Sequence, residues 1–422
     1  MTSGEHMTSL LNVDRAIELI LMDLKSKGPE HIGITEALGR VAAADIVAPI
    51  SLPPFANSAL DGFAVVASDT SDASEDAPIE LPIVMDIPAG KAPETALQPG
   101  QVARIMTGAP MPEGANAVIP VEDTNFDWEA DDHVPLGDML RITRPVKAGA
   151  GVRDVGESAK RGDVIIKKGT IFRSAEIGMV AGLGMSDVLV TQQPRVTIIS
   201  SGDELVPLHQ PLTPGKIYDS NSYSLMMLVK EYGGIPTRMP VARDSMESVR
   251  EVFEGALAGY PDMIISSAGV SMGTADLIRN ILGELGSVDF WRINLRPGKP
   301  LAFGHLHDVP FFGLPGNPVS AMVTFEVLVR PALLKLAGSN DHDYYSTAVA
   351  GDRITTDGRR SYERVTLTHD GNQWVAHLTG TQSSGALMSM VLADALMIVP
   401  EDMKVVEPGT VLPVKLLRQP KS

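Results

Sequence analysis

The feature that most constrains the fold is a regular alternation of strand-like and helix-like segments that begins after Gln193. In chain order the segments are RVTIISS, NSYSLMMLVKEYG, PTRMPVA, SMESVREVFEGALAG, DMIISS, TADLIRNILGELG, FFGLPG and NPVSAMVTFEVLVRPALLKLAG. Strands that alternate with helices of this length are typical of a doubly wound α/β fold with a parallel sheet. Ligands of such folds bind beyond the carboxyl ends of the strands, so the sequence also predicts where to look for a site.

The flanking sequence has a different character. Residues 9–25 carry leucine and isoleucine at helical spacing, with Asn12 or Asp14 as a cap, which predicts an amphipathic opening helix. Between about Pro49 and Pro145, short apolar runs are cut by Pro and Gly, which predicts a β-rich inserted module. Beyond about Asn340, the runs YERVTLTHD, QWVAHLTG, ALMIVP and TVLPVKLL predict a small terminal β domain.

Composition argues against several classes of function. The chain has 35 Lys and Arg against 52 Asp and Glu, a net charge of −17, which disfavours a surface that tracks nucleic acid. The absence of cysteine excludes disulfides, thiolate metal sites and a cysteine nucleophile, and it fits a reducing compartment. With no apolar run long enough to span a membrane and no leader-like start, we expect no membrane partner and a cytoplasmic protein.

Three turns rich in Gly and Ser follow strands of the predicted sheet, at 200–205 (SSGDEL), 266–276 (SSAGVSMGTAD) and 313–321 (GLPGNPVSA). Backbone amides in such turns approach oxyanions closely, which favours a phosphate-binding cradle. One turn of this kind is more often ordinary turn chemistry, but three in one module favour a ligand. The predicted ligand-binding residues in these turns are Ser201, Gly202, Asp203, Ser267, Gly269, Ser271, Gly273, Pro315, Gly316, Asn317 and Pro318.

Acidic residues at the same predicted edge suggest a metal site. Glu204 follows a strand directly, Asp244 follows PTRMPVA, and Asp276 opens a helix. Converging carboxylates beside bound phosphate suit Mg²⁺. Asp244 and Asp276 are equally explained as helix caps, and both interpretations stay open at this point. The histidines show no HExxH spacing and the turns match no GxxxxGK[ST] or GxGxxG pattern, which disfavours zinc and nicotinamide cofactors.

A cationic, proline-stiffened turn, LRPGKPLAFG at 295–304, stands out in this acidic chain. Arg292 precedes this turn, Arg296 lies in it, and Lys299 lies between its two prolines. These side chains either bind an anion or are solvated loop residues. In the inserted module, Asp61 and Thr107 lie on loops shaped by Pro and Gly, and such loops often carry binding residues. Asp61 precedes Gly62 and is equally explained as a turn residue.

Eight phrases in fixed order carry a resemblance to a known family: PPFANSALDGFAV, RIMTGAPMPEGANAV, GVRDVGE, SSGDEL, IYDSNSY, SSAGVSMGTAD, RPGKPLAFG and GLPGNPVSA. In this order they resemble the molybdopterin molybdotransferases, the MoeA proteins and the gephyrin E domain, from about residue 10 to 400. The resemblance implies an elongated homodimer and Mg²⁺-dependent insertion of molybdate into adenylylated molybdopterin, with release of AMP. Because the pterin dithiolene takes the metal, no protein cysteine is needed.

The resemblance also implies a multidomain α/β plus β architecture. A doubly wound α/β molybdopterin-binding module would be joined to an N-terminal extended region, a β-rich inserted domain and a C-terminal small β-barrel-like domain. The expected boundaries are 7–50 with 145–185 for the discontinuous N-terminal linker domain, 51–144 for the insert, 186–340 for the α/β module and 341–422 for the C-terminal domain.

Site roles follow from the resemblance residue by residue. Asp61 and Thr107 would face the cleft from the insert, and Glu204, Asp244 and Asp276 would serve the cation and nucleotide side. Lys299 and Ser320 would lie near the incoming oxyanion, with Arg296 among the catalytic residues and Arg292 among the cofactor-binding residues.

The chain departs from the family pattern at four of these motif positions. Arg292 and Arg296 stand where relatives often carry lysine, Ser158 replaces a common acid, and Ala56 does the same in PPFANSALDG. The two arginines keep the positive charge but offer a planar fork in place of a point charge. The changes at Ala56 and Ser158 bear on the details of pterin and cation contacts.

Two other functions compete with the transferase. One is an enzyme of the molybdopterin adenylyltransferase kind, built on the same α/β module. The inserted module and the terminal β domain argue against it, because a bare module would lack both. The other is a non-catalytic scaffold like gephyrin, which a test of molybdate-dependent AMP release by the chain alone would distinguish.

Overall fold

The computed structural model describes residues 10–126, 136–267, 274–340 and 345–419. The chain divides into two compact units. Unit 1 comprises Met1–Ala44, Gly169–Arg173 and Val188–Ser422, and unit 2 comprises Asp45–Lys168 and Ser174–Asp187. The chain thus leaves unit 1 after the first helix and a short strand region, and it returns to unit 1 for the α/β module and the terminal β domain.

The described residues form the following helices and strands. The α-helices are α1 (Val13–Met22), α2 (Ser174–Gly182), α3 (Ser220–Glu231), α4 (Met246–Ala258), α5 (Thr274–Leu285), α6 (Pro318–Thr324), α7 (Arg330–Leu336) and α8 (Met388–Leu392), with a π-helical turn at Phe325–Val329. The strands are β1 (Pro29–Gly33), β2 (Ile46–Val47), β3 (Asn57–Ser58), β4 (Gly62–Val65), β5 (Ile79–Ile87), β6 (Val102–Ile105), β7 (Ala117–Pro120), β8 (Met139–Ile142), β9 (Val152–Arg153), β10 (Val164–Ile166), β11 (Asp187–Thr191), β12 (Arg195–Ser200), β13 (Leu205–Val206), β14 (Ile217–Tyr218), β15 (Ile235–Arg238), β16 (Met263–Ser267), β17 (Gly286–Arg292), β18 (Leu295–Arg296), β19 (Pro300–Leu306), β20 (Val309–Leu314), β21 (Tyr345–Ala350), β22 (Ile354–Thr355), β23 (Arg360–His369), β24 (Trp374–Leu378), β25 (Ala395–Val399), β26 (Val405–Val406) and β27 (Val411–Leu416).

The centre of unit 1 is a six-stranded sheet in the order β15-β12-β16-β20-β19-β17. The first four strands are parallel, as the alternation predicts, and the predicted α/β fold class is confirmed. The two strands at the other edge, β19 and β17, are antiparallel to their neighbours. They come from the sequence around the cationic turn, where strand follows strand without an intervening crossover helix, so a parallel connection is not available.

Apolar side chains cover both faces of this sheet. On one face, a core cluster joins β12 and β16 to α1, α3 and the helical stretch from α6 to α7. On the other face, a second cluster joins the sheet to α4 and α5. Strands β12 and β16 are buried almost throughout, which explains why they read as continuous apolar runs in the sequence. Helices on both faces leave the ends of the strands as the open edges of the module.

The opening helix α1 is shorter than the sequence pattern predicts. It begins at Val13, and the side chain of Asn12 accepts hydrogen bonds from the backbone N–H groups of Asp14 and Arg15. This is the arrangement expected of an N-cap residue. Its buried residues Val13, Ala16 and Ile20 lie in the core of unit 1. Within the described ranges, no helix has the length and apolar composition that crossing a membrane requires.

The C-terminal part of unit 1 forms a closed five-stranded barrel. Strands β23, β24, β21, β27 and β25 pair in turn, and β25 pairs back with β23. The sequence predicts four of these strands and misses β21. The interior is filled by small and branched residues such as Ala348, Val365 and Val414. Strand β18 of the cationic turn adds to this barrel, because it pairs in parallel with the start of β23.

Unit 2 contains the β-rich insert. Its main sheet has the order β7-β4-β6-β5-β8, and apolar clusters cover both faces. The strands β5, β6 and β7 lie in the apolar runs PIELPIVMDI, QVARIMTG and NAVIPVED, which are cut by Pro and Gly signals and predict strands in the sequence. Two small two-stranded pairs, β2 with β10 and β3 with β9, link the entry of the chain into this unit to its exit.

Candidate functional site

A cationic pocket of about 320 Å³ lies in unit 1, at the turn that stands out in the sequence. Five residues that the sequence predicts as site residues line it together, namely Arg296, Lys299, Pro315, Asn317 and Ser320. Four of the lining residues are cations, and none is acidic among the residues described. The pocket is therefore a locally positive site in a chain of net charge −17. Such a local field attracts and holds anions.

Gly298 shapes the turn that carries two of these cations. Its φ of +122° lies in the region that favours glycine. A Cβ atom built there would come within 2.5 Å of Thr324 Oγ1 and 3.1 Å of Leu295 Cδ2. The turn therefore packs directly on α6, and only glycine permits this approach. Lys299 is exposed and has no ion-pair partner in the described ranges, whereas the Arg296 Nη1 donates to Thr355 O over 3.1 Å.

Two further cations reach the pocket from the start of the barrel. Strand β18 pairs with β23 in the register Leu295 to Arg360 and Arg296 to Ser361, which places Arg359 and Arg364 beside the turn. Arg359 donates to Leu295 O at 2.9 Å, so it also fixes the backbone of the turn. Its other contacts are to Asp357, and the guanidinium holds the pKa of that carboxyl below its usual range.

Arg364 is the most buried charge in the pocket, with 1% of its side chain exposed. Its Nη1 donates to Tyr362 O at 3.2 Å and lies 3.8 Å from the Glu363 carboxylate. Its Nη2 is buried without a hydrogen-bond partner in the part of the chain that the structure describes. Burial lowers the pKa of Arg364, while the Glu363 charge opposes this shift. A buried donor without a partner costs free energy unless a ligand accepts from it.

Gln382 and Ser384 complete the wall of the pocket. The Gln382 carboxamide accepts from the Arg364 N–H at 2.9 Å and donates to the Arg364 carbonyl at 3.1 Å. It therefore makes the two backbone hydrogen bonds that a neighbouring strand would make, and it fixes the backbone at Arg364. Ser384 O accepts from the N–H of Val319 in the first turn of α6 at 3.1 Å. The barrel is thereby attached to the helix that carries Ser320, whose side chain is buried.

A second group of polar residues lies at the carboxyl ends of β12, β16 and β20. Asn221, in the first turn of α3, donates from Nδ2 to Ser267 Oγ at 2.8 Å and to Gly316 O at 2.7 Å. It therefore ties the end of β16 to the turn before α6. The Oδ1 of Asn221 and the hydroxyls of Ser200 and Ser266 are buried without a partner among the described residues. These groups provide unsatisfied hydrogen-bonding capacity at the edge where ligands of α/β folds bind.

The turn after β12 carries Asp203 and Glu204, and Asp244 contacts it. Asp203 and Asp244 exchange hydrogen bonds, since each backbone N–H lies 3.4 Å from the other residue's carboxylate. Gly202 has φ +144°, and a Cβ there would come within 2.5 Å of Glu204 Oε2, so the Glu204 carboxylate folds back over the glycine. In the described ranges, no group of three His, Asp or Glu side chains is arranged to hold a metal ion.

Some predicted residues lie elsewhere or outside the description. Gly269, Ser271 and Gly273 fall outside the described residues. Asp276 lies in the first turn of α5, and its side chain is not described. The predicted approach of Asp276 to Glu204 and Asp244 therefore lies outside the described residues.

The remaining predicted residues are in the described part. Arg292 is exposed at the end of β17 and does not line the cationic pocket. Ser201 is buried at the end of β12, and Pro318 is the first residue of α6.

Asp61 and Thr107 are in contact within unit 2. The Asp61 Oδ1 accepts from the Thr107 N–H at 2.7 Å and from its hydroxyl at 2.9 Å. This agrees with the turn interpretation of Asp61, since its carboxylate fixes the loop after β6. Both residues are exposed, and the second carboxylate oxygen has no hydrogen bond to the described residues.

Sequence reasoning missed five residues of the two polar groups: Arg359, Arg364, Asn221, Gln382 and Ser384. The sequence does carry a signal for Asn221, because this residue lies in the motif IYDSNSY at the start of a helix. The other four lie in a strand or loop of the barrel with no local motif. They reach the site only through the pairing of β18 with β23 and the contacts of Gln382 and Ser384.

Three family models match the chain. They are the MoeA N-terminal region (domain I and II) at residues 11–184, the probable molybdopterin binding domain at 197–335, and the MoeA C-terminal region (domain IV) at 347–417. A molybdopterin molybdenumtransferase 2 of Mycobacterium tuberculosis is 36% identical over 394 residues, which is 92% of this chain and 94% of that protein. The chain belongs to the MoeA family.

Other members of the MoeA family support this. A molybdopterin molybdenumtransferase of Nostoc sp. is 35% identical over 88% of this chain and 85% of its own length. A crystal structure of a molybdopterin biosynthesis MoeA protein from Pyrococcus horikoshii matches with a TM-score of 0.83 and 30% identity, and it covers 97% of this chain and all of that one. The resemblance that the eight phrases carry is confirmed. As a member of this family, the chain is a transferase enzyme of molybdenum cofactor biosynthesis.

Proposed function

We propose that this transferase inserts molybdate into adenylylated molybdopterin with release of AMP, and that the reaction requires Mg²⁺. The observation that carries the proposal is the cationic pocket, in which Arg296, Lys299, Arg359 and Arg364 surround one space of about 320 Å³. The proposed substrates are all anions. An acidic protein needs such a local positive site to offset the repulsion between its own charge and theirs.

Molybdate is the proposed ligand of this pocket. The oxyanion is compact and doubly charged, and its oxygens accept hydrogen bonds only. The Nη2 of Arg364 and the ammonium of Lys299 have no partner among the described residues, so both are available as donors. Hydrogen bonds between a cation and an oxyanion are about twice as strong as neutral ones. The hydroxyl of Ser320 and the amide of Asn317 supply neutral donors on the opposite wall.

The group of polar residues at the strand ends is proposed to hold the pterin and phosphate part of the substrate. Asn221 Oδ1 and the hydroxyls of Ser200 and Ser266 offer hydrogen-bonding atoms that have no partner within the described ranges. Glycine at position 202, with its φ of +144°, leaves room for the Glu204 carboxylate to fold back over the backbone after β12. The proposed chemistry needs no covalent intermediate with the protein. The chain holds the reactants and neutralises charge while water attacks phosphorus of the pyrophosphate linkage and AMP leaves. The two dithiolene sulfurs then bind molybdenum in exchange for one oxo oxygen, which leaves as water with the two thiol protons.

The donor chemistry after β12 fits Mg²⁺, because Asp203, Glu204 and Asp244 bring carboxylate oxygens to the strand end. Mg²⁺ commonly takes only one or two protein carboxylates and completes its shell with phosphate oxygens and water. We propose that Glu204 and Asp244, with Asp276 from α5, hold the ion. Its contribution when bound would be to neutralise the phosphate oxygens of the pyrophosphate linkage.

The test is incubation of the protein with adenylylated molybdopterin while AMP is followed. We expect AMP release that requires both molybdate and Mg²⁺, with formation of the molybdenum-loaded pterin. A matched control is the Lys299→Ala protein, which should need far more molybdate. AMP release that does not respond to molybdate would contradict the proposal. Conversion of molybdopterin and ATP into adenylylated molybdopterin and pyrophosphate would favour the adenylyltransferase instead. A folded protein that releases no AMP at all would favour the scaffold.

We further propose a cytoplasmic homodimer. The zero cysteine count fits a reducing compartment. Most soluble oligomers are symmetric homo-oligomers, with two-fold dimers the commonest class. Light scattering on the purified protein should give twice the mass of the 44.9 kDa chain. A mass equal to one chain at micromolar concentration would contradict the dimer but leave the proposed reaction untouched.

A further inference from the structure

A second cavity in unit 1 has a volume of about 430 Å³ and shares no lining residue with the cationic pocket. Small-molecule sites typically have volumes of about 300–1,000 Å³. Its wall comes from residues 38–41 between β1 and β2, from Ile171 before α2, from the ends of β11, α3 and β27, and from α7. We refer to this space as the Arg40 cavity. Nothing in the proposed reaction uses it.

Part of the lining of the Arg40 cavity is apolar. Leu38, Ile171, Leu334 and Leu416 contribute aliphatic side chains, and the ring of Tyr232 adds an aromatic surface. The Tyr232 hydroxyl donates to Glu326 Oε1 at 2.8 Å, so this polar end is already satisfied inside the protein. A ligand that contacts this part of the lining gains stability by removing apolar surface from water.

The same lining also carries cations, and Arg330 lies against the Tyr232 ring. Arg40 donates from Nη2 to Thr191 O at 3.0 Å and pairs with Glu30, but its Nε is buried without a hydrogen-bond partner in the described ranges. The Arg330 guanidinium is buried and lies 4.7 Å from the centre of the Tyr232 ring. Lys230, at the end of α3, is exposed at the rim. Both arginines are held rigidly, which lowers the entropy lost when they bind a ligand.

The charges of the cavity do not balance. Three cations line it, namely Arg40, Lys230 and Arg330, against one acid, Glu231. Burial raises the pKa of Glu231, and the nearby Glu326 acts in the same direction. Glu30 offsets part of the Arg40 charge from outside the lining. Glu326, which accepts from the Tyr232 hydroxyl, is paired with Lys415, so the lining and its nearest ion-pair partners keep a small positive excess in a chain that is strongly negative as a whole.

We propose that the Arg40 cavity binds a small organic carboxylate with an apolar body. The carboxylate accepts from the Arg40 Nε and faces Arg330, because the planar fork of arginine matches carboxylate geometry. The apolar body lies against the aliphatic side chains of the lining and the Tyr232 ring. Free inorganic phosphate fits less well, since it would leave the apolar lining residues in contact with water and would bring more negative charge than the cavity offsets. This binding activity is separate from the proposed molybdate site.

The experiment titrates the full chain with 4-(trifluoromethyl)benzoate, followed by ¹⁹F NMR. The neutral probe 4-(trifluoromethyl)benzyl alcohol has the same apolar body without the charge. We expect saturable binding of the benzoate, and binding of the alcohol weaker by at least about tenfold, as the loss of a charge-assisted hydrogen bond implies. Arg40→Met should weaken benzoate binding by at least about tenfold on the same grounds.

Two control variants locate the binding. Arg353→Met removes an exposed arginine that pairs with Glu407 outside the cavity, and it should leave binding unchanged. Lys299→Ala changes the cationic pocket and should also leave binding unchanged. If Arg40→Met fails to fold, Lys230→Met at the rim replaces it, with a weaker effect of at least about threefold expected for a solvated charge.

Four outcomes would overturn the proposal. They are the absence of saturable benzoate binding, equal binding of the alcohol, unchanged binding after the change in the cavity, and loss of binding in the Lys299→Ala protein, which would assign the benzoate to the cationic pocket.

Discussion

The link that Asn221 makes between β16 and the turn before α6 yields the sharpest test of the site. Replacement by alanine removes two hydrogen bonds, of 2.8 Å to Ser267 Oγ and 2.7 Å to Gly316 O. Each bond contributes about 0.5–1.5 kcal/mol net, so about 2 kcal/mol is lost with both. The Ser267 hydroxyl and the Gly316 carbonyl are also left without this partner, which adds to the cost. The substitution also removes the unsatisfied Oδ1 of Asn221, which offsets part of this extra cost in stability.

A double-mutant cycle isolates the first of the two bonds. Ser267→Ala removes the bond to Asn221 but keeps the bond from Asn221 to Gly316, so we expect about 1 kcal/mol of destabilisation. Once Asn221 is alanine, the change at Ser267 has no bond left to remove. The double mutant should therefore be about as stable as Asn221→Ala alone, with a coupling free energy of about 1 kcal/mol.

The measurement is urea unfolding of the four proteins, with the slope of the transition held common. Ser224→Ala is the matched control, because the Ser224 hydroxyl donates to Asn221 O within the same helix and does not touch the site. It should change the free energy of unfolding by less than about 0.5 kcal/mol, because the higher helix propensity of alanine offsets the loss of this one bond. The same variants should be assayed for molybdate use, since Asn317 follows Gly316 and lines the cationic pocket. Additive effects of Asn221→Ala and Ser267→Ala would refute the proposed link.

Four further changes test the charges. Lys299→Ala should raise the molybdate concentration for half-maximal AMP release by at least about tenfold with unfolding unchanged, because the residue is exposed; an unaltered molybdate dependence would contradict its role. Arg296→Lys should keep most activity, and an inactive protein would show that the planar fork is required. Asp276→Asn should raise the Mg²⁺ requirement, whereas lost stability at an unaltered requirement would favour a helix cap. The hydrogen bond from Arg360 lowers the pKa of Asp14, so the stabilising effect of this carboxylate is complete above pH about 4 and is lost as the pH falls through the lowered pKa. Asp14→Asn should therefore reduce the loss of unfolding free energy at acid pH, as measured by urea unfolding at several pH values.

The sequence by itself determined the elements and their chemistry. Helix and strand periods, the Asn12 cap and the Gly- and Ser-rich turns are local properties, so each can be read from a few neighbouring residues. The cationic turn can also be recognised locally, because Arg296, Gly298 and Lys299 lie close together in the chain. The predicted edge of the sheet follows from connection rules that hold for α/β folds in general. For these reasons the α/β fold class and the family were both available before any coordinates.

Only the tertiary structure decided which residues surround the turn. Arg359 and Arg364 are more than fifty positions away in the chain, and they reach it because β18 pairs with β23 in one register. Such pairing depends on how the barrel closes and how β19 and β17 add to the sheet, and no local pattern encodes it. The same holds for Arg40 and Arg330, which line one cavity although they belong to distant segments of the chain. Local propensity specifies an element, whereas a site built from distant elements is specified by the packing of the whole core, to which every element contributes.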